Sequence, residues 1–270
     1  MEIILKKFTL VLLIVVLSFT ILTNCTKKQS EDNLIKIGVS PKPQGEIVEL
    51  IKDDLKSQGI EIEIVEFTDY ITPNLSLADG DIDANFFQHE PYMNDFKEEN
   101  KLDIISIGGV HIEPMGLYSF KINSIEELKD GSEIAIPNDV TNGFRALLLL
   151  EKHDLIKLDP DAGITATAKD IIENPKNLKI KELEAGTLPR VLKDVDGAVI
   201  NGNNALAANL IPTEDSIILE EKDSPYANIV AVRKGEEDKK KFIELMKALQ
   251  SEKVRKFIEE EYKGGVIPAF

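Results

Sequence analysis

Between Ile35 and Tyr262 the hydrophobic period of the chain switches repeatedly from that of a strand to that of a helix, which leaves few architectures open. Ile35-Lys36-Ile37-Gly38-Val39 alternates like a half-buried strand, and Gly45 to Leu55 then sets Ile47, Leu50, Ile51 and Leu55 on one helical face. Ile60, Ile62 and Ile64, separated by Glu61 and Glu63, mark the next strand. Further strands are expected at Ile82–Phe87, Ile104–Ile107, Leu117–Phe120 and Ile134–Ile136, then at Leu178–Leu183, Ala198–Ile200, Ser216–Glu220 and Ala227–Val232. Helices fit Thr141–His153, Leu188–Asp194 and a long tail from Glu237 to Tyr262, where Phe242, Leu245, Met246 and Leu249 form one apolar stripe. The pattern predicts an α/β protein with largely parallel sheets, without low-complexity block or short repeat.

Two segments share one design. Strand Ile35–Val39 runs into Ser40-Pro41-Lys42-Pro43-Gln44-Gly45 and a helix, and strand Ile134–Ile136 runs into Pro137-Asn138-Asp139-Val140-Thr141-Asn142-Gly143 and a helix. In open α/β sheets, ligands bind beyond the carboxyl ends of strands, where helix N-termini present free N–H groups. Two such units, about a hundred residues apart, suggest two lobes facing one another across a cleft. The expected division is 34–118 plus 225–270 for the first lobe and 119–224 for the second.

The N-terminus carries a separate message. Lys6 and Lys7 precede an apolar run from Phe8 to Leu22, which ends at Thr23, Asn24 and Cys25, the one cysteine of the chain. That is the layout of a secretory signal, and it is short for a membrane-spanning helix. Leu22-Thr23-Asn24-Cys25 resembles a lipobox, with Asn24 an unusual residue before the cysteine. Residues 1–24 then read as a lipoprotein signal peptide, Cys25 as the lipidated residue, and 25–33 as a polar tether. The mature chain would be lipid-anchored on the extracytoplasmic side of a bacterial membrane, inner or outer. An uncleaved anchor is the plainer alternative. The formal charge of −16 argues against nucleic acid and against adhesion to anionic lipid.

Several polar and aromatic residues collect at strand ends. Glu66-Phe67-Thr68-Asp69-Tyr70 closes one strand, and Asn85-Phe86-Phe87-Gln88-His89-Glu90-Pro91-Tyr92 closes another. In an extended segment Phe87 and His89 point one way, Phe86 and Gln88 the other. His89 and His111, with Glu90 and Glu113 nearby, raise the question of a metal, but their spacing matches no compact zinc motif. No metal or cofactor is expected. Arg145 follows Asn142 and Gly143 at the start of a helix that continues as apolar Ala146 to Leu150. Such a guanidinium needs an acidic partner, either a ligand carboxylate held by its fork or an internal one such as Asp139. Asn201-Gly202-Asn203-Asn204 leaves a strand, and Asn228 opens another. Amides there can donate to a carboxylate and accept from an ammonium, or simply form a turn.

Taken together, Phe87-Gln88-His89-Glu90-Pro91-Tyr92, Ile136-Pro137-Asn138-Asp139-Val140-Thr141-Asn142 and Val199-Ile200-Asn201-Gly202-Asn203 resemble the NLPA family of methionine-binding lipoproteins over about Ile35 to Phe270. The resemblance implies a two-lobe, type II periplasmic-binding-protein fold that closes on its ligand and delivers L-methionine or a close analogue to the permease of an ABC importer. It makes Arg145 the partner of the ligand carboxylate. Asn201 or Asn203, with Asn228, would hold the ammonium and carboxylate, and Tyr70, Phe87, His89 and His111 would surround the thioether. Two positions depart from the family pattern: Lys42-Pro43-Gln44-Gly45 stands where Gly-Pro-His-Ala is usual, and Asn204 where a Tyr is usual. Either departure could admit a methionine-containing peptide or a related amino acid.

An enzyme would need a nucleophile with a base, or metal ligands. The sequence has no Gly-x-Ser-x-Gly element and no His-Glu-x-x-His helix, so no catalytic activity is expected. A surface lipoprotein acting mainly as an adhesin or antigen stays open at this level.

Overall fold

The computed structural model describes residues 33–221 and 224–270. The signal segment, Cys25 and nearly all of the tether lie outside them. Among the described residues no helix is long and apolar enough to cross a membrane.

The strands form two large sheets. The first contains β1 (Leu34–Val39), β2 (Glu61–Glu66), β3 (Ala84–His89), β4 (Ile104–Ile112), β12 (Ala227–Arg233) and β13 (Ile267–Pro268), in the order β13-β4-β12-β3-β1-β2. The second contains β5 (Gly116–Tyr118), β6 (Glu133–Pro137), β9 (Lys179–Leu183), β10 (Gly197–Ile200) and β11 (Ser216–Leu219), in the order β11-β5-β10-β6-β9. A short ribbon of β7 (Lys157–Leu158) and β8 (Ile171–Glu173) sits apart from both.

Apolar faces explain what packs where. Helix α1 (Glu46–Ser57) buries Ile47, Val48, Ile51 and Leu55 against the first sheet, in one core with Ile35, Ile37, Phe86 and Val230. The tail expected as one helix is two, α8 (Lys240–Leu249) and α9 (Glu252–Tyr262). Ser251 causes the break: its backbone is extended and its hydroxyl accepts from the Val254 N–H, a helix N-cap. Both pieces still bury their stripes in the first core. In the second lobe, α4 (Val140–Lys152) lays Ala146, Leu147, Leu149 and Leu150 against Leu117, Ile134, Ile136 and Val199.

The sheets are mixed rather than largely parallel. β1 runs parallel to β2 and β3, but β12 pairs antiparallel with both β3 and β4. Likewise β6 runs parallel to β9 and β10, while β5 pairs antiparallel with β10 and β11. The antiparallel strands adjoin the two passages of the chain between the sheets. It leaves the first sheet after Ile112, enters the second at Gly116, and returns between Leu219 and Ala227. The returning strand β12 is inserted between β3 and β4.

The expected boundary after residue 118 is therefore misplaced, because β5 belongs to the second sheet. The crossing is completed within Glu113-Pro114-Met115, where Pro114 offers no N–H to extend the ladder of β4.

Candidate functional site

Where the two sheets' carboxyl ends face each other, a small pocket lies between side chains of both lobes. One end is aromatic, formed by Tyr70, Phe87, His89 and Tyr92. The ring centroids of Tyr70 lie 6.0 Å from those of both Phe87 and Tyr92. The other end is polar, with Glu113, Asn142, Arg145, Asn201, Asn203 and Asn228.

Strand β3 supplies much of the aromatic end, and its two phenylalanines part company there. Phe86 packs in the first core, edge-on to the His111 ring at 5.2 Å, whereas Phe87 faces the cavity. The bulge is in β3 itself: Ile229 pairs with Gln88 and Val230 with Phe86, which leaves Phe87 without a partner in β12. The irregularity lets Gln88, expected on the Phe86 side, reach the lining too. Behind it Gln88 joins Asn74 and Asn85 in a buried amide network.

His89 ends β3 and caps helix α3 (Glu90–Asn100), its Nδ1 accepting from the Tyr92 N–H at 3.2 Å. The proton of the neutral ring therefore sits on Nε2, which donates to Asn142 Oδ1 at 3.1 Å across the lobes. Burial, followed by the charge of Arg145, lowers the His89 pKa to about 3. Asn142 Oδ1 also accepts from Asn201 Nδ2 at 2.8 Å, and Asn142 Nδ2 donates to Asp139, the N-cap of α4. Burial pushes the Asp139 carboxyl upward, against the hydrogen bonds from Asn142 and Thr141. Every member of this chain has its donor and acceptor roles fixed except Asn201 Oδ1, which is buried without a partner among the described residues.

Glu113 is the buried acid of the site, 5% exposed. Its Oε1 accepts from Gln44 Nε2 and meets His111 Nε2, both at 2.7 Å. Gln44 Nε2 also reaches Asn228 Oδ1 at 3.1 Å. Gly202 lies against this carboxylate, and a Cβ there would stand 2.7 Å from Glu113 Cβ. Only glycine allows helix α6 (Gly202–Ala207) to approach so closely.

Arg145 is 4% exposed and lines the cavity, but its fork is already engaged. Nε donates to Glu220 at 3.0 and 3.2 Å, and Nη2 donates to Glu220 and to the Glu113 carbonyl. The guanidinium also stacks 4.3 Å over the Tyr226 ring. The internal carboxylate partner is thus Glu220 rather than Asp139. No hydrogen bond occupies Arg145 Nη1 among the described residues.

Of the site residues expected from sequence, Tyr70, Phe87, His89, Arg145, Asn201, Asn203 and Asn228 line the cavity. His111 does not: it is fully buried behind Glu113, wedged on Phe86, and acts on the site only through that carboxylate. Among the described residues no three His, Cys, Asp or Glu side chains gather as metal ligands. Gln88, Tyr92, Glu113, Asn142 and Gly202 are the lining residues not expected from the sequence. The Asp139-x-x-Asn142 cap spacing could have pointed to Asn142.

The lining carries the functional groups that would recognise an α-amino acid. Glu113 and Asn201 Oδ1 offer acceptors to an ammonium, Arg145 Nη1 a charged donor to a carboxylate, and the aromatic end a lining for an apolar tail.

The model of the NlpA lipoprotein family matches residues 35–270. The chain belongs to that family. Its relatives include Outer membrane lipoprotein 3 of Mannheimia haemolytica, 44% identical, the match covering 91% of this chain and 93% of that one. The D-methionine-binding lipoprotein MetQ of Escherichia coli K12 is 40% identical over 91% of this chain and 92% of its own. Among solved structures, a nutrient binding protein of Burkholderia cenocepacia bound to methionine superposes with a TM-score of 0.84 at 46% identity, covering 87% of this chain and 100% of that chain.

The His89 assignment has a consequence for stability. Its folded pKa of about 3 lies below the ordinary value of about 6.5, so the unfolded chain binds that proton more readily. The contribution is full above pH 6.5 or so and is lost as pH falls toward 3. Denaturant melts at pH 7 and pH 4.5 should show the unaltered protein losing more stability between the two than His89→Gln does.

Proposed function

We propose that this chain is the solute-capturing lipoprotein of an ABC importer and that its solute is methionine, in the L form. The observation that carries this reading is the pocket whose lining combines the rings of Tyr70, Phe87, His89 and Tyr92 with the polar side chains of Glu113, Arg145, Asn201 and Asn228. The thioether lies among the rings, where sulfur–aromatic contacts are favourable. The ammonium meets Glu113 and the unpartnered Asn201 Oδ1, and the carboxylate takes Arg145 Nη1. Asn203 and Asn228 complete the polar wall. The methionine in the Burkholderia relative and the naming of the Escherichia relative for D-methionine support the same ligand class.

Delivery requires a membrane-bound permease, and the lipoprotein family fits a chain held at the extracytoplasmic face through Cys25. One acyl chain gives only marginal binding, so a stable anchor carries more than one. Cys25→Ser should move the protein from the membrane to the soluble fraction; an unchanged membrane fraction with Met1 intact would mean an uncleaved anchor instead.

Calorimetry on mature protein stripped of solute tests the ligand. L-Methionine should bind at one per chain. Norleucine keeps the shape but loses the sulfur–aromatic contacts, worth about 0.3–1.5 kcal/mol, and should bind more weakly by that margin. Titrating D-methionine alongside settles the enantiomer. No heat with either methionine enantiomer would reject the proposal.

A further inference from the structure

Three hydrogen bonds between the lobes converge on the first turn of α6, and two of their partners, Ser40 and Asn204, take no part in lining the cavity. Tyr70, on the first lobe, donates its hydroxyl to Asn203 Oδ1 at 2.6 Å and accepts from Asn204 Nδ2 at 3.0 Å. Asn203 Nδ2 in turn donates to Ser40 Oγ, on the first lobe, at 3.2 Å. A phenol has one proton to give and lone pairs to receive, so the two asparagines use both functions of the Tyr70 hydroxyl. Burial, then the charge of Glu113, raises the Tyr70 pKa well above its ordinary value, which keeps that hydroxyl a donor.

The location gives these bonds their consequence. Asn203 borders the cavity, but it also lines, with Asn204, Ser40, Phe67 and Arg190, a groove of about 740 Å3 between the lobes that is open to solvent. The bonded trio of Tyr70, Asn203 and Asn204 thus stands between the pocket lined by Tyr70 and Asn203 and the groove lined by Asn203 and Asn204. The lobes are in close contact beside it: a Cβ on Gly186 of the second lobe would lie 2.9 Å from the Thr68 carbonyl oxygen of the first.

We propose that Asn204, through the Tyr70 hydroxyl, is the latch that holds the lobes closed over bound solute and sets how fast that solute leaves by the adjoining groove. This rests on reading the cavity as the solute site. Asn204 touches no part of the cavity, so its contribution is to the closed state and not to the contacts of the ligand. Losing a latch of this kind shortens residence without slowing capture, because the lobes are apart when solute enters.

Release of radiolabelled methionine into excess unlabelled methionine reads the latch. Asn204→Ala should release about 2- to 12-fold faster, the range for one net hydrogen bond, with an on-rate that does not fall. Tyr70→Phe should also release faster, and adding Asn204→Ala to it should change nothing more, since the amide has then lost its acceptor. Equal release from Asn204→Ala and the unaltered chain, or single effects that simply multiply, would overturn the latch. Spin labels at Lys56 and Lys193, one per lobe, in a Cys25→Ser chain read closure without any ligand; the closed population should shrink in Asn204→Ala. Should the unaltered chain bind no methionine, the ligand reading fails and the latch is judged on these distances alone. Identical distributions in the two chains would then overturn it.

Discussion

The ion pair between Arg145 and Glu220 joins everything that the two lobes must share. The chain passes between the sheets at Glu113-Pro114-Met115 and again after Leu219, and Arg145 holds both passages: the Glu113 carbonyl with Nη2 and the Glu220 carboxylate with Nε and Nη2. The passages are also tied to each other, with Glu220 N–H donating to the Met115 carbonyl at 2.8 Å and Met115 N–H to the Glu220 carboxylate at 3.2 Å. Removing one member of a buried, hydrogen-bonded pair costs about 3–5 kcal/mol, because the other charge is left uncompensated. A group that fixes the hinge and also faces the cavity makes the relative position of the lobes and the geometry of the ligand site one property.

The rest of the site is arranged around that fixed charge. His89, beside Arg145, is neutral, so the positive potential is not doubled where the proposed solute's carboxylate would fit. Amides, which carry no charge, make contacts that join the lobes: Asn142 with His89 and Asn203 with Tyr70. Neutral hydrogen bonds contribute about 0.5–1.5 kcal/mol each, enough to favour closure and little enough to release it. The buried acid Glu113 is held by Gln44 and His111 from the first lobe, so its position does not depend on a hydrogen bond from α6.

Much of this was legible in the sequence because local pattern fixes local structure. The alternation in Ile35–Val39 and Ile60–Ile64, and the stripe in the helix after Gly45, mark elements whose burial needs no knowledge of partners. Strand-end positions of Phe87, His89, Asn201 and Asn228 likewise followed from chain order alone. What could not be read depends on pairings far apart in sequence. Arg145 and Glu220 are 75 residues apart, and nothing near either residue names the other. His111 carries the composition of a site residue, yet Phe86 and Glu113 bury it one layer back. The single tail helix failed for a local reason: the charged surface around Gln250 and Ser251 continues the helical pattern, while the Ser251 hydroxyl starts a new helix.

The dual role of Arg145 is tested most directly by titrating Arg145→Ala with methionine, on protein whose ligand-free melt is recorded first. Truncating one partner of a desolvated charge pair costs roughly 2–5 kcal/mol in binding. The account therefore predicts a lower melting temperature without ligand together with an affinity reduced about 30-fold or more. A lower melting temperature with undiminished affinity would make Arg145 a hinge residue only, and contradict its place in the ligand site.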